Sequence, residues 1–315
     1  MAATPPPSAI ILVGASGFAG RNFADALGGS VERLIAVTAE TLDVPGCDQT
    51  VTLDGLADIG PLPPDTVVIH VGAYRYDPER FELAQSDILL HNADLNARIY
   101  QFCAEREIRE VRLASSVAVY PAELEVMDDT VSVDLNRPPH TGEAFYAWSK
   151  RWAEIMAGLY RDRFGINTVT FRLSNPYGPH DSVNPRKAHV APAFVMKALD
   201  TNPVFPIRGD VSVERDFTYI GDVVDIFLRT LSWRGRNEVY NIATGETTTL
   251  ETLARTVMRI ASVDKPIEAG APGAFGPKAR RATAEKVKRD FGFTFTSLAD
   301  GMKPTIEWYR HAYRP

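Results

Sequence analysis

Residues 143–150 read EAFYAWSK and set a phenol, Tyr146, and an ammonium, Lys150, four residues apart. On a helix, positions i and i+4 share one face about a turn apart. A positive charge at that distance favours the phenolate, which suits a tyrosine to give or take a proton near neutral pH. A half-exposed helix with an aromatic ring over a lysine stem has the same spacing, so the pair alone leaves packing open as the alternative. A second candidate is LASSVAVY (113–120), where Ser115 and Ser116 fall at the end of a strand-like run. A hydroxyl there can hydrogen-bond a substrate oxygen shared with Tyr146, or it can satisfy a nearby backbone group.

The third candidate is GASGFAG, which spaces Gly14, Gly17 and Gly20 as G-x-x-G-x-x-G. Glycines there permit a tight turn and let a pyrophosphate approach the backbone at a helix N-terminus. A lone glycine triplet also serves ordinary turns. Here it directly follows a buried strand and opens a helix, the context that predicts dinucleotide binding ahead of a plain turn.

The elements that must position these residues follow from periodicity. Continuous apolar runs closed by glycine or serine read as buried parallel strands: AIILVG (9–14), RLIAVT (33–38), DTVVIHVGA (65–73) and VRLASS (111–116), joined by QTVTLD (49–54) and NTVTFRLSN (167–175). Helical patterns cover 18–27, 80–106 and 145–164. Strands alternating with helices predict an α/β fold with a doubly wound parallel sheet. After Asn175 the rhythm breaks into a loop-rich, proline-rich segment; a strand-turn-helix over 217–231 and a strand over 238–245 restore it. Helices are expected at 250–261, 283–290 and 298–310. The expected division is residues 1–175 plus about 216–245 in the sheet domain, with about 176–215 plus 246–315 in a smaller, discontinuous lobe.

The chain's 315 residues suffice for one large domain or two unequal lobes. Its 45% apolar and 23% charged content is that of an ordinary soluble globular protein. A net charge of −6 argues against a nucleic-acid or anionic-membrane surface. Cys47 and Cys103 lie in unrelated contexts, suggest neither a disulfide framework nor a metal site, and fit a reducing cytoplasm. The N-terminal MAATPPPSA lacks a basic region and a long apolar core and is not expected to be a signal peptide. No apolar run reaches the ~18 residues of a membrane helix.

Taken together, GASGFAG, SSVAVY and YAWSK resemble the extended short-chain dehydrogenase/reductases, in particular the NAD-dependent epimerase/dehydratase group acting on nucleotide sugars. The resemblance runs over nearly the whole chain: VVIHVGA, Asn92 in LLHNADLN, RLSNPYGP (172–179), ERDFTYIGDVV (214–224), EVYNIATG and LADGMKPTIEWY (298–309) match further segments of that family in order. It implies a Rossmann fold with an NAD cofactor, NADP being possible, and a homodimer formed through helices near 87–105 and 145–164.

Residue by residue, the resemblance implies Tyr146 as acid/base, Lys150 beside it bonding the nicotinamide ribose, and Ser116 polarising the substrate C–O group. Ser115, Ser174 and Asn92 would lie against the cofactor. Phe18 and Ala19 would offer backbone amides to its pyrophosphate, and Asp54 and Gly55 would flank the adenine. The turn with Val71, Gly72, Ala73 and Arg75 would line the same site. Asn175, His189 and Val190 would contact the nucleotide sugar, with Arg215 and one of Arg280 and Arg281 on its diphosphate. His70 and His180 are expected to be a structural and a loop residue.

Two departures from the family pattern matter. Where NAD-preferring members end the second strand with an acid for the ribose 2′-OH, this chain has Thr38, with Arg21 or Arg33 as the nearest cations, so the choice of NAD or NADP stays open. Where the dehydratases carry an acid pair, it has Ser116-Val117-Ala118, which points away from 4,6-dehydration. The expectation is therefore a nucleotide-sugar 4-epimerase, with a nucleotide 4-keto-sugar reductase as the alternative. A steroid- or flavonoid-type carbonyl reductase shares the Ser-Tyr-Lys set, but NPYGP and RDF speak against it. A non-catalytic cofactor sensor would often lack the tyrosine or the lysine, and both are present.

Overall fold

The computed structural model describes residues 5–74, 83–270 and 281–314. Five successive apolar residues leave no polar face, and Ala9–Val13 (β1) is buried at every position. It joins Arg33–Thr38 (β2), Gln49–Thr52 (β3), Val67–His70 (β4), Glu110–Ser116 (β5), Asn167–Leu173 (β6) and Glu238–Ile242 (β7) in one sheet. The order is β7-β6-β5-β4-β1-β2-β3, with every neighbouring pair parallel. The order reverses between β1 and β4, and the carboxyl ends of those strands open the crevice in which doubly wound sheets bind ligands.

The helices are α1 (Phe18–Leu27), α2 (Gln85–Glu105), α3 (Ala144–Phe164), α4 (Val190–Leu199), α5 (Ile220–Arg229), α6 (Leu250–Ala261), α7 (Glu285–Phe291) and α8 (Leu298–Ala312). Alternate side chains of β1 enter different cores, as a pleated strand requires. Ile10 and Leu12 pack with Phe23 of α1 and Phe227 of α5, while Ile11 and Val13 pack with residues of α2 and α3 such as Tyr100 and Met156. A third core gathers α4, α6 and α8 around Phe194, Val257 and Ile306. Tyr219 packs against both this core and the α1–α5 core.

Two expectations shift. β6 ends at Leu173, because Asn175–Tyr177 leaves the sheet to pair with Phe217–Tyr219. The loop-rich stretch contains α4. Its Pro192 sits in the first helical turn, where a missing N–H costs no hydrogen bond. The helix expected at 298–310 is α8, which runs through Pro304 with Met302 and Ile306 buried on either side of the proline.

Candidate active site

The glycines are placed by packing before any ligand is considered. Gly14 has φ +84°, and a Cβ there would overlap the Gly72 Cα. The ends of β1 and β4 therefore meet backbone to backbone. A Cβ on Gly20 would overlap the Gly14 carbonyl and lie 2.5 Å from the Ala15 Cα. Gly17 is the N-cap of α1, and the first turn of that helix carries no acidic residue, so its partial positive charge is unopposed. Gly14, Gly17, Phe18, Ala19 and Gly20 all line a cleft of about 2370 Å³. Bare backbone at a helix N-terminus in a cleft of that size fits a dinucleotide pyrophosphate.

The same cleft receives Ser116 and Tyr146. Ser116 ends β5, and its Oγ accepts from the Ala118 N–H at 3.1 Å, which starts a single helical turn and points the next residues into the cleft. Tyr146 lies in the first turn of α3 and is half-buried. Lys150, one turn on, is buried; its Nζ donates to the Ala114 carbonyl at 3.0 Å and lies 5.9 Å from the centre of the Tyr146 ring. Burial pushes its pKa down to about 8, opposed by the Glu154 carboxylate. The lysine therefore remains mostly cationic at neutral pH. His70, at the end of β4, is wholly buried, and desolvation pushes it down to about 3, so it is a neutral neighbour.

Other expected site residues are distributed unevenly. Val71, Gly72, Ala73 and Ser174 line the cleft, and so does Thr38. The Thr38 hydroxyl, however, donates to the Glu40 carbonyl at 2.7 Å. Arg33 bonds Gln49 and the Pro61 carbonyl at the opposite end of β2, out of reach of Thr38. Asn92 stands behind the 71–74 turn: its Oδ1 accepts from the Tyr74 N–H at 2.9 Å. Ser115 turns away and donates to Glu154 Oε1 at 2.6 Å. Asp54 is 88% exposed and paired with Arg98, and at that edge it is Leu53, not Asp54 or Gly55, that lines the cleft.

Toward the third core, the cleft is lined by Asn175, His189, Val190 and Arg215. Asn175 donates to the Asp216 carbonyl at 2.9 Å, and Arg215 to the Glu214 carbonyl at 2.7 Å. Burial lowers the Arg215 pKa, with Glu143 opposing. Arg281 is exposed in a two-residue strand paired with Val126–Met127. Arg75 and Arg280 lie outside the described residues. Sequence reasoning missed Arg186, Lys187, Lys197 and Arg208, which also line this cleft and make its far part cationic. The run NPRKAH (184–189) was the available signal for Arg186 and Lys187, but nothing in its spacing says which side chains face inward. No group of three or more metal-ligating side chains occurs among the described residues.

Comparison with known proteins agrees with this geometry. A dTDP-4-dehydro-6-deoxy-D-allose reductase of Streptomyces bikiniensis is 29% identical over 211 residues, 66% of this chain and 64% of the relative. A GDP-L-fucose synthase of Dictyostelium discoideum is 24% identical, with 70% of this chain and 71% of the relative aligned. The UDP-glucose 4-epimerase of Thermotoga maritima superposes with a TM-score of 0.82 at 21% identity, covering 96% of this chain and 99% of that one. The model of the NAD dependent epimerase/dehydratase family matches residues 10–243, and the chain belongs to that family.

Proposed function

We propose that the protein is an NAD(P)-dependent nucleotide-sugar 4-epimerase. The observation that carries this reading is that Ser116 and Tyr146 line the same cleft as the glycine turn on one side and Asn175 and Arg215 on the other. A reacting sugar carbon there would sit between cofactor and nucleotide. A dinucleotide held by its pyrophosphate at the glycine turn would supply, through its nicotinamide, the hydride acceptor and donor. Tyr146 exchanges a proton with the sugar hydroxyl, and Ser116 hydrogen-bonds the same oxygen. Lys150 keeps positive charge beside the phenol. Arg215 and the neighbouring cations hold the diphosphate.

The second reading, a nucleotide 4-keto-sugar reductase, draws support from β2. Thr38 stands where an acid would bond the ribose 2′-OH, and no acid replaces it at the end of that strand. The reductase names of several relatives point the same way. Identifying any dinucleotide released on denaturation separates the two. Near-stoichiometric NAD supports the epimerase; an empty site that titrates with NADPH supports the reductase. Under either reading, Tyr146→Phe abolishes turnover and leaves cofactor binding within about twofold; surviving turnover would overturn the assignment.

A homodimer is supported by α3. Phe145, Trp148, Trp152, Ile155 and Leu159 are exposed and recur at the alternating three- and four-residue spacing of one helix face. The separate core around α4, α6 and α8 favours the two-lobed division of the chain. Two unpaired cysteines accord with a cytoplasmic protein, and no described helix is long and apolar enough to cross a membrane.

A further inference from the structure

Behind the cleft, one buried carboxylate touches each element that carries a reacting group. Glu154 lies one turn beyond Lys150 on α3, with 8% of its side chain exposed. Its Oε1 accepts from Ser115 Oγ at 2.6 Å and Arg172 Nε at 3.0 Å; its Oε2 accepts from Arg172 Nη2 at 2.7 Å. Ser115 immediately precedes Ser116 on β5. Arg172 lies on β6, two residues before Ser174 and three before Asn175, both of which line the cleft. The Arg172 guanidinium also covers the Tyr120 ring at 4.8 Å, and the Tyr120 hydroxyl donates to Asn241 Oδ1 of β7 at 3.0 Å.

A buried bidentate pair is a poor source of net stability, because desolvating two charges offsets most of their attraction. It does fix distance and orientation sharply. We propose that Glu154 is a positioning residue: it clamps the catalytic face of α3 to β5 and β6 and so sets where Tyr146 stands relative to Ser116. The inference rests on the Ser116–Tyr146–Lys150 reading above.

The test is Glu154→Gln, which keeps the shape and weakens the charged bonds to Arg172 and Ser115, read as kcat and KM beside wild type and Y146F. The expected result is a kcat at least about tenfold lower with KM within about twofold. Should E154Q leave Arg172 unpaired and fail to fold, E154Q with R172M removes both charges at similar volume, and the same loss in kcat with KM held is expected, because the bonds that tie α3 to β5 and β6 are weakened or lost in both. A kcat less than about tenfold below wild type, or a loss carried in KM, in whichever variant folds overturns the inference. Retained turnover in Y146F would instead overturn the catalytic reading, so the two failures are distinguishable.

Discussion

Lys150 carries a stability cost that can be measured directly. Burial takes its pKa from the usual 10.5 to about 8, a depression of roughly 2.5 units. At about 1.4 kcal/mol per unit, the folded protein at neutral pH holds this ammonium at a cost of about 3 kcal/mol. The sign follows from proton counting: between pH 8 and 10.5 the unfolded chain binds more protons at this residue than the folded one. Stability from this group therefore rises with pH across that window, and the full penalty is present below it. Lys150→Met removes the charge and keeps a stem of similar length. It forfeits the hydrogen bond to the Ala114 carbonyl, which costs about 1 kcal/mol. The variant should thus be more stable than wild type by about 2 kcal/mol at pH 7, and less stable by about 1 kcal/mol near pH 10.5. Equilibrium urea unfolding of the cofactor-free protein from pH 7 to 10.5 measures both. A stability difference between the two proteins that is flat across that range would refute the reasoning.

Two further outcomes are expected. Gly20→Ala forces its Cβ against the Gly14 carbonyl and the Ala15 Cα, so the backbone must shift; a stability loss of about 2 kcal/mol or more is expected, together with at least about tenfold weaker dinucleotide binding by fluorescence titration. On the proposed α3 dimer, the wild-type protein should sediment as a dimer and Trp152→Glu, in the middle of the exposed stripe, as a monomer; a monomeric wild type or an unchanged mass would remove α3 as the interface.

What the sequence by itself determined is what local geometry decides. The 3.6-residue turn alone puts Tyr146 and Lys150 on one face. A glycine triplet between an apolar run and a helix allows little besides a tight backbone turn, and continuous apolar strands allow little besides a covered parallel sheet. Ser115 and Ser116 show where this ends. Pleat alternation says that they point to opposite sides, but only packing decided that Glu154 meets one and the cleft receives the other. Asp54 likewise fell at the expected edge, yet Arg98, forty-four residues away, draws it outward. The cations of 186–208 and the helix α4 became visible only when a third core folded them against the sheet's open end. Spacing fixes the direction of a side chain relative to its own element. What stands in that direction depends on contacts between segments distant in sequence, and those are set by how the cores pack.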